Sequence, residues 1–116
     1  NKSDLILMEF DKETQEKIKE LQMHEQNLNN LLMQKQAFQI ELIEAENALL
    51  ELPKAKDDVY KMFGNIMIKS DKNKIKEELE KRKELLSLRV KSIEKQESQV
   101  AKQSEELRND VLKKIK

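Results

Sequence analysis

Val59-Tyr60-Lys61-Met62-Phe63-Gly64-Asn65-Ile66-Met67-Ile68-Lys69 is the stretch whose reading decides the fold. Two β-prone runs flank the only glycine of the sequence. Gly-Asn suits a two-residue hairpin turn, because glycine accepts the positive φ such turns require. With Gly64 and Asn65 as the turn, Phe63 faces Ile66, Met62 faces Met67 and Lys61 faces Ile68, and residues paired across an antiparallel ribbon share a face. One face then carries Val59, Phe63, Ile66 and Ile68, the other Tyr60, Met62 and Met67. Both are apolar.

A lone two-stranded ribbon is marginal in water, and this one has two open edges and no third strand elsewhere in the sequence. Either other chains supply the missing strands, or the ribbon is a connector whose apolar side chains pack on its own helices. The composition outside it is that of long helices. Charged residues make up 40% of the 116, hydrophobic ones 37% and aromatic ones 3%, so the buried surface is expected to be a seam rather than a globular core. Basic and acidic residues balance at 23 each and are interspersed, leaving no net field to attract nucleic acid or an anionic membrane. The absence of cysteine fits a reducing compartment, and no apolar run approaches a membrane span or a signal-peptide core. The expectation is a cytoplasmic protein.

From Leu7, every seventh residue reads Leu7, Thr14, Leu21, Leu28, Lys35, Leu42, Leu49, and three further on Phe10, Lys17, His24, Leu31, Phe38, Ala45, Leu52. Ten of these fourteen are apolar, which is a coiled-coil seam with polar interruptions that can fix register. The reading predicts a helix over about 4–52, capped by Ser3 or Asp4 and ended by Pro53, whose ring lacks an amide donor. The hairpin follows at about 58–69. A second helix is predicted over about 71–115, capped by Ser70 or Asp71, with Leu79, Leu86, Ile93, Val100 and Leu107 in an unbroken row of sevens flanked by Ile75, Val90 and Val111. A hairpin between two near-equal helices reverses the chain. The predicted fold is therefore mainly α, a single domain over 1–116 built as a long antiparallel two-helix coiled coil with one β-hairpin between the helices.

That arrangement gathers Leu5, Ile6, Leu7, Met8 and Phe10 with Val111, Leu112 and Ile115 at one tip, more apolar side chains than one seam hides. They either pack locally or form an exposed patch that binds something. No catalytic or metal-binding constellation stands out: His24 is the only histidine, a single glycine cannot make a phosphate-cradling loop, and the carboxylates have the spacing of solvated helix faces. No enzyme activity, metal or cofactor is expected.

Val59-Tyr60-Lys61, two variable positions and Gly64-Asn65-Ile66-Met67-Ile68-Lys69, set between two heptad helices and accompanied by Lys95-Gln96-Glu97, resemble the prefoldin family and its β-type subunits. The organisation covers the whole chain, the specific motif about a dozen residues. The resemblance implies an ATP-independent chaperone assembled from two α-type and four β-type subunits, with the hairpin residues Val59, Tyr60, Met62, Phe63, Gly64, Asn65, Ile66, Met67 and Ile68 joined into an oligomeric β-barrel. It further implies that Leu5, Ile6, Leu7, Met8, Phe10, Val111, Leu112 and Ile115 hold unfolded client proteins at the arm tips for delivery to a group II chaperonin. The rivals are a coiled-coil scaffold that oligomerises through its hairpin without holding clients, and an RNA-binding arm, for which only Lys113, Lys114 and Lys116 offer a basic group.

Overall fold

The computed structural model describes residues 1–115. Its elements follow in the order α1 (Lys2–Met8), α2 (Lys12–Glu51), a 3-10 turn (Leu52–Lys54), β1 (Val59–Phe63), β2 (Ile66–Ser70) and α3 (Lys72–Ile115). Two long helices with a hairpin between them is the predicted architecture. The chain divides into two compact units, a terminal unit of residues 1–34 with 93 onward and a hairpin unit of residues 35–92.

The first helix does not begin where the heptads place it. An unbroken run from Ser3 or Asp4 is corrected to two helices, separated at Glu9 to Asp11. Asn1 caps α1, its Oδ1 accepting the Ser3 and Asp4 amides at 2.7 and 3.2 Å while Asp4 reaches back to Asn1. Asp11 then starts α2 afresh, accepting the Thr14 amide at 2.7 Å, and the Gln15 side chain donates to the Phe10 carbonyl at 2.8 Å. Each bond satisfies backbone that a helix end leaves unpaired, so the break is a built boundary. At the other end of α2, Pro53 falls in the 3-10 turn after Glu51, where a missing amide costs least. Asp71 precedes α3, and its carbonyl accepts the Ile75 amide at 3.0 Å.

In the terminal unit α2 and α3 run antiparallel. Lys17 lies 3.4 Å from Asp110, and Asp11 lies 3.4 Å from Lys114, so numbering rises on one helix as it falls on the other. Leu31, Ile93 and Val111 are buried in the seam together with two polar residues, Thr14 and Ser104. Thr14 is 2% exposed and bonds to Asp11 through its hydroxyl as well as its amide. The Ser104 hydroxyl is buried without a partner. In the hairpin unit the pairing is again antiparallel, with Arg82 bonded to Glu41 at 3.0 Å and Arg89 stacked 5.5 Å from the centre of the Phe38 ring. Its seam is apolar, with Ala45, Leu52, Leu86 and Val90 buried. Every position of the two predicted rows from Thr14 to Leu52 is buried or half-buried, as is the row from Leu79 to Leu107.

Candidate functional sites, the hairpin and the chain ends

The ribbon has the predicted register, with Phe63 opposite Ile66, Met62 opposite Met67, Lys61 opposite Ile68, Tyr60 opposite Lys69 and Val59 opposite Ser70. Gly64 has φ +59° and no other residue described has a positive φ, so the turn needs left-handed backbone only at its first central position, the type II′ requirement. A Cβ added there would meet nothing within 4 Å, so backbone conformation alone demands the glycine.

The ribbon is held at its base and along α3. Lys72 Nζ donates to the carbonyls of Pro53 and Ala55 at 3.3 and 2.9 Å, and Lys69 lies 3.3 Å from Asp58. Lys61 Nζ donates to Glu78 Oε2 at 2.8 Å and sits 5.2 Å from the centre of the Phe63 ring. That hydrogen bond holds the Glu78 carboxyl below the usual glutamate range. Beyond these tethers the hairpin is uncovered. Val59 is half-buried, whereas Tyr60, Met62, Phe63, Ile66, Met67 and Ile68, from both faces, are exposed. The sheet has two strands among the described residues, so both ladder edges are open. In this unit the helices do not seal the ribbon, as a simple connector would require.

The chain ends form the second surface. Leu5, Ile6, Met8, Leu112 and Ile115 are exposed, and Leu7 and Phe10 are half-buried. Val111 stands apart: at 8% exposure it belongs to the seam, one residue before Leu112 at 46%. The ion pair between Asp11 and Lys114 brings the start of α2 and the last turns of α3 together, so exposed residues from both termini share one end of the unit. The α1 segment folds against α2, with a cleft between them lined by Ile6, Leu7, Phe10 and Ile18 among others. Thr14 and Lys114 together hold the Asp11 carboxyl below the usual aspartate range, the Thr14 hydroxyl contributing most. Lys114 is thus engaged rather than part of a free basic stripe, and Lys116 lies outside the described residues.

Among the described residues no group of His, Cys, Asp or Glu could hold a metal ion, and no helix is long and apolar enough to cross a membrane. Sequence reasoning missed three features. Asp11 as a helix start left no distinct signal, since only its capping bond to Thr14 marks it, whereas Ser104 was legible from lying seven residues before Val111, and the exposed Ile40, Ile43, Leu50, Leu85 and Leu88 from their helical spacing off the seam rows.

The profile of the Prefoldin subunit family matches residues 15–116. The chain is 39% identical over 107 residues to a prefoldin subunit beta of Saccharolobus islandicus, strain L.S.2.15 / Lassen #1, spanning 88% of this chain and 85% of that one. It is 40% identical over 90 residues to a prefoldin subunit beta of Pyrobaculum islandicum, spanning 76% and 72%. Among solved structures, the prefoldin beta subunit from Thermococcus strain KS-1 matches with a TM-score of 0.80 and 31% identity, over 87% of this chain and 90% of that one. The beta2 subunit from the same strain matches in fold, with a TM-score of 0.68 at 15% identity.

Proposed function

Since this chain belongs to the prefoldin family, as a β-type subunit, we propose that it is a nucleotide-independent holdase, which captures unfolded polypeptides at its apolar chain ends and passes them to a group II chaperonin in the cytoplasm. Prefoldins are chaperones whose subunits form multi-subunit complexes with one another. For this chain the reading is a hexamer of two α-type and four β-type subunits, joined through the hairpin. One observation carries it: a single chain exposes a ribbon with open edges and two apolar faces, and also exposes a cluster of large apolar side chains at its ends.

An unfolded client presents apolar segments, and burying them contributes about 25 cal/mol per Å² before ordering costs. One small patch therefore binds weakly and exchanges fast. Once one patch has engaged, patches on the other subunits meet the same client at high effective concentration, so the assembly holds firmly through contacts that are each reversible. Release follows when a stronger binder competes for the client. No bond is made or broken, and the role asks for no cofactor.

The test replaces Leu5, Ile6, Met8, Leu112 and Ile115 together with serine, leaving the buried Val111 and the Asp11 cap untouched. With the α-type partner present and the assembly's mass unchanged, about tenfold more protein is expected to be needed to suppress aggregation of a denatured enzyme. Undiminished suppression by an intact assembly would overturn client capture at the chain ends and favour a scaffold.

A further inference from the structure

Apolar packing does little to keep the ribbon folded. Only its base residues Val59 and Ser70 are half-buried, and every residue between them is exposed. A two-stranded hairpin so uncovered is at best marginally stable in water, yet the ladder runs in full register from Val59 and Ser70 to Phe63 and Ile66. Between β1 and α3 lies a cleft lined by Tyr60, Met62, Ile75 and Leu79 among others. Polar tethers span what packing leaves open. Lys61 on β1 reaches Glu78 on α3 at 2.8 Å while its ammonium sits 5.2 Å from the centre of the Phe63 ring, so one side chain joins the helix to the residue before the turn. Lys72 is the first residue of α3, where the helix dipole disfavours a cation. Its half-buried side chain turns back to the carbonyls of Pro53 and Ala55, at 3.3 and 2.9 Å, past the end of α2 where helical pairing has run out. It thereby pins the segment that enters β1 to the helix that follows β2. The pair of Lys69 and Asp58, 67% and 57% exposed, is too solvated to add much.

We propose that Lys61, Lys72 and Glu78 are positioning residues for subunit assembly: they keep the ribbon folded and set against α3 in the free chain, so that another subunit meets a finished strand edge. This rests on the reading that the hairpin joins subunits, and names what prepares it to do so. Strand addition needs backbone donors and acceptors already in register. A chain whose ribbon is formed only part of the time associates in proportion to that fraction, and it loses conformational freedom at the moment of contact. The three residues act within one chain, so their effect falls on the rate of association. Once neighbouring strands close the edges, the ladder itself holds the ribbon, and dissociation no longer depends on the tethers. Each tether is partly solvated and weak by itself, so assembly feels their joint loss.

The test compares the full-length chain with the double variant Lys61→Met and Lys72→Met, which keeps both aliphatic stems and removes both ammonium groups. In the free chain, hydrogen exchange at the ribbon amides is expected to quicken in this variant, while exchange in α3 beyond Arg82 and the unfolding midpoint stay as they were. Mixed with an α-type prefoldin subunit in stopped flow, the variant is expected to associate about fivefold more slowly and to dissociate at an unchanged rate. Lys61→Arg with Lys72→Arg, which keeps both charges, should restore most of the association rate. Glu78→Gln alone should slow association about twofold, and it decides the matter if the K61M/K72M chain loses helix. Unchanged ribbon exchange or an unchanged association rate overturns the positioning role and leaves hairpin assembly standing. Faster dissociation at an unchanged association rate would make the lysines contacts with the partner, and a lowered unfolding midpoint at unchanged rates would make them supports of the helices; either overturns the proposal. If the unaltered chain does not associate through its hairpin at all, the reading beneath the proposal falls, and the proposal with it.

Discussion

The hairpin and the chain ends both display large apolar side chains, but on different kinds of backbone. In the ribbon, the ladder and the Gly64 turn fix which residues face which side, and open edges present backbone donors and acceptors in register. At the ends, a seven-residue helix joined to α2 through a three-residue break carries three of the exposed side chains, and the last turns of α3 carry two more. A surface with fixed register suits one partner of matching geometry. A surface with greasy side chains and no ladder suits many partners of no fixed geometry. The seams differ in the same direction: the terminal unit buries Thr14 and an unpartnered Ser104, and the hairpin unit buries Ala45, Leu52, Leu86 and Val90.

The largest expected effect follows from the ribbon's specificity. Phe63 and Ile66 are cross-strand partners on one face, 53% and 64% exposed. Burying side chains of this size contributes about 1.5–3 kcal/mol each, so replacing both with serine should weaken subunit association by at least about a hundredfold. Mass measurement by light scattering, with and without an α-type subunit, checks this. Client holding should fall with it, because avidity needs several arms. If mass survived and only client holding fell, the ribbon would be a client surface and the division of labour between the two regions would be lost.

Most of the architecture was legible because it depends on periodicity and turn chemistry. Sevens from Thr14 to Leu52 and from Leu79 to Leu107 mark the seam, Pro53 marks the end of α2, and Gly64-Asn65 marks the turn and thereby the register. The helix break at Glu9 to Asp11 was not legible in the same way. Leu7 and Phe10 continue the heptad rows across it, and apolar spacing carries no information on where backbone amides find their partners. The capping bond from Asp11 to Thr14 decides that, and Asp is equally at home on a solvated helix face. Val111 and Leu112 show the same limit at the other terminus. Composition marks both as apolar, but only the angle around α3 separates the seam residue from the exposed one.

That separation is the next effect in size. Val111→Ala removes two buried carbons and should destabilise the chain by about 1–2 kcal/mol in denaturant unfolding, with little direct effect on client affinity. Leu112→Ala should change stability by less than about 0.5 kcal/mol and lower aggregation suppression measurably. Adjacent residues then have opposite phenotypes. Equal phenotypes would mean that α3 turns differently at this end and that the exposed cluster is wrongly assigned.

The smallest effect is acid sensitivity, and it distinguishes the two regions by which one loosens. Asp11 in the terminal unit and Glu78 in the hairpin unit are both held below their usual range, Asp11 by the Thr14 hydroxyl and amide with Lys114 adding to them, Glu78 by Lys61. A depressed folded-state value means that the unfolded chain binds the proton more readily. Each contribution is therefore complete above the unfolded value, near 4, and is lost as pH falls through the lower folded value. Both groups are exposed, so the global unfolding midpoint should barely register either one, and a local probe is needed. The Thr14 amide, which donates to Asp11, should shift in NMR along a titration centred below 4, and Asp11→Asn, which keeps an acceptor but removes the charge, should abolish that titration while leaving the helix boundary in place. Glu78→Gln should instead flatten the acid response of the hairpin amides and leave Thr14 unaffected. A Thr14 titration that persisted in the Asp11→Asn chain would place the proton elsewhere, and the boundary between α1 and α2 would need another cause.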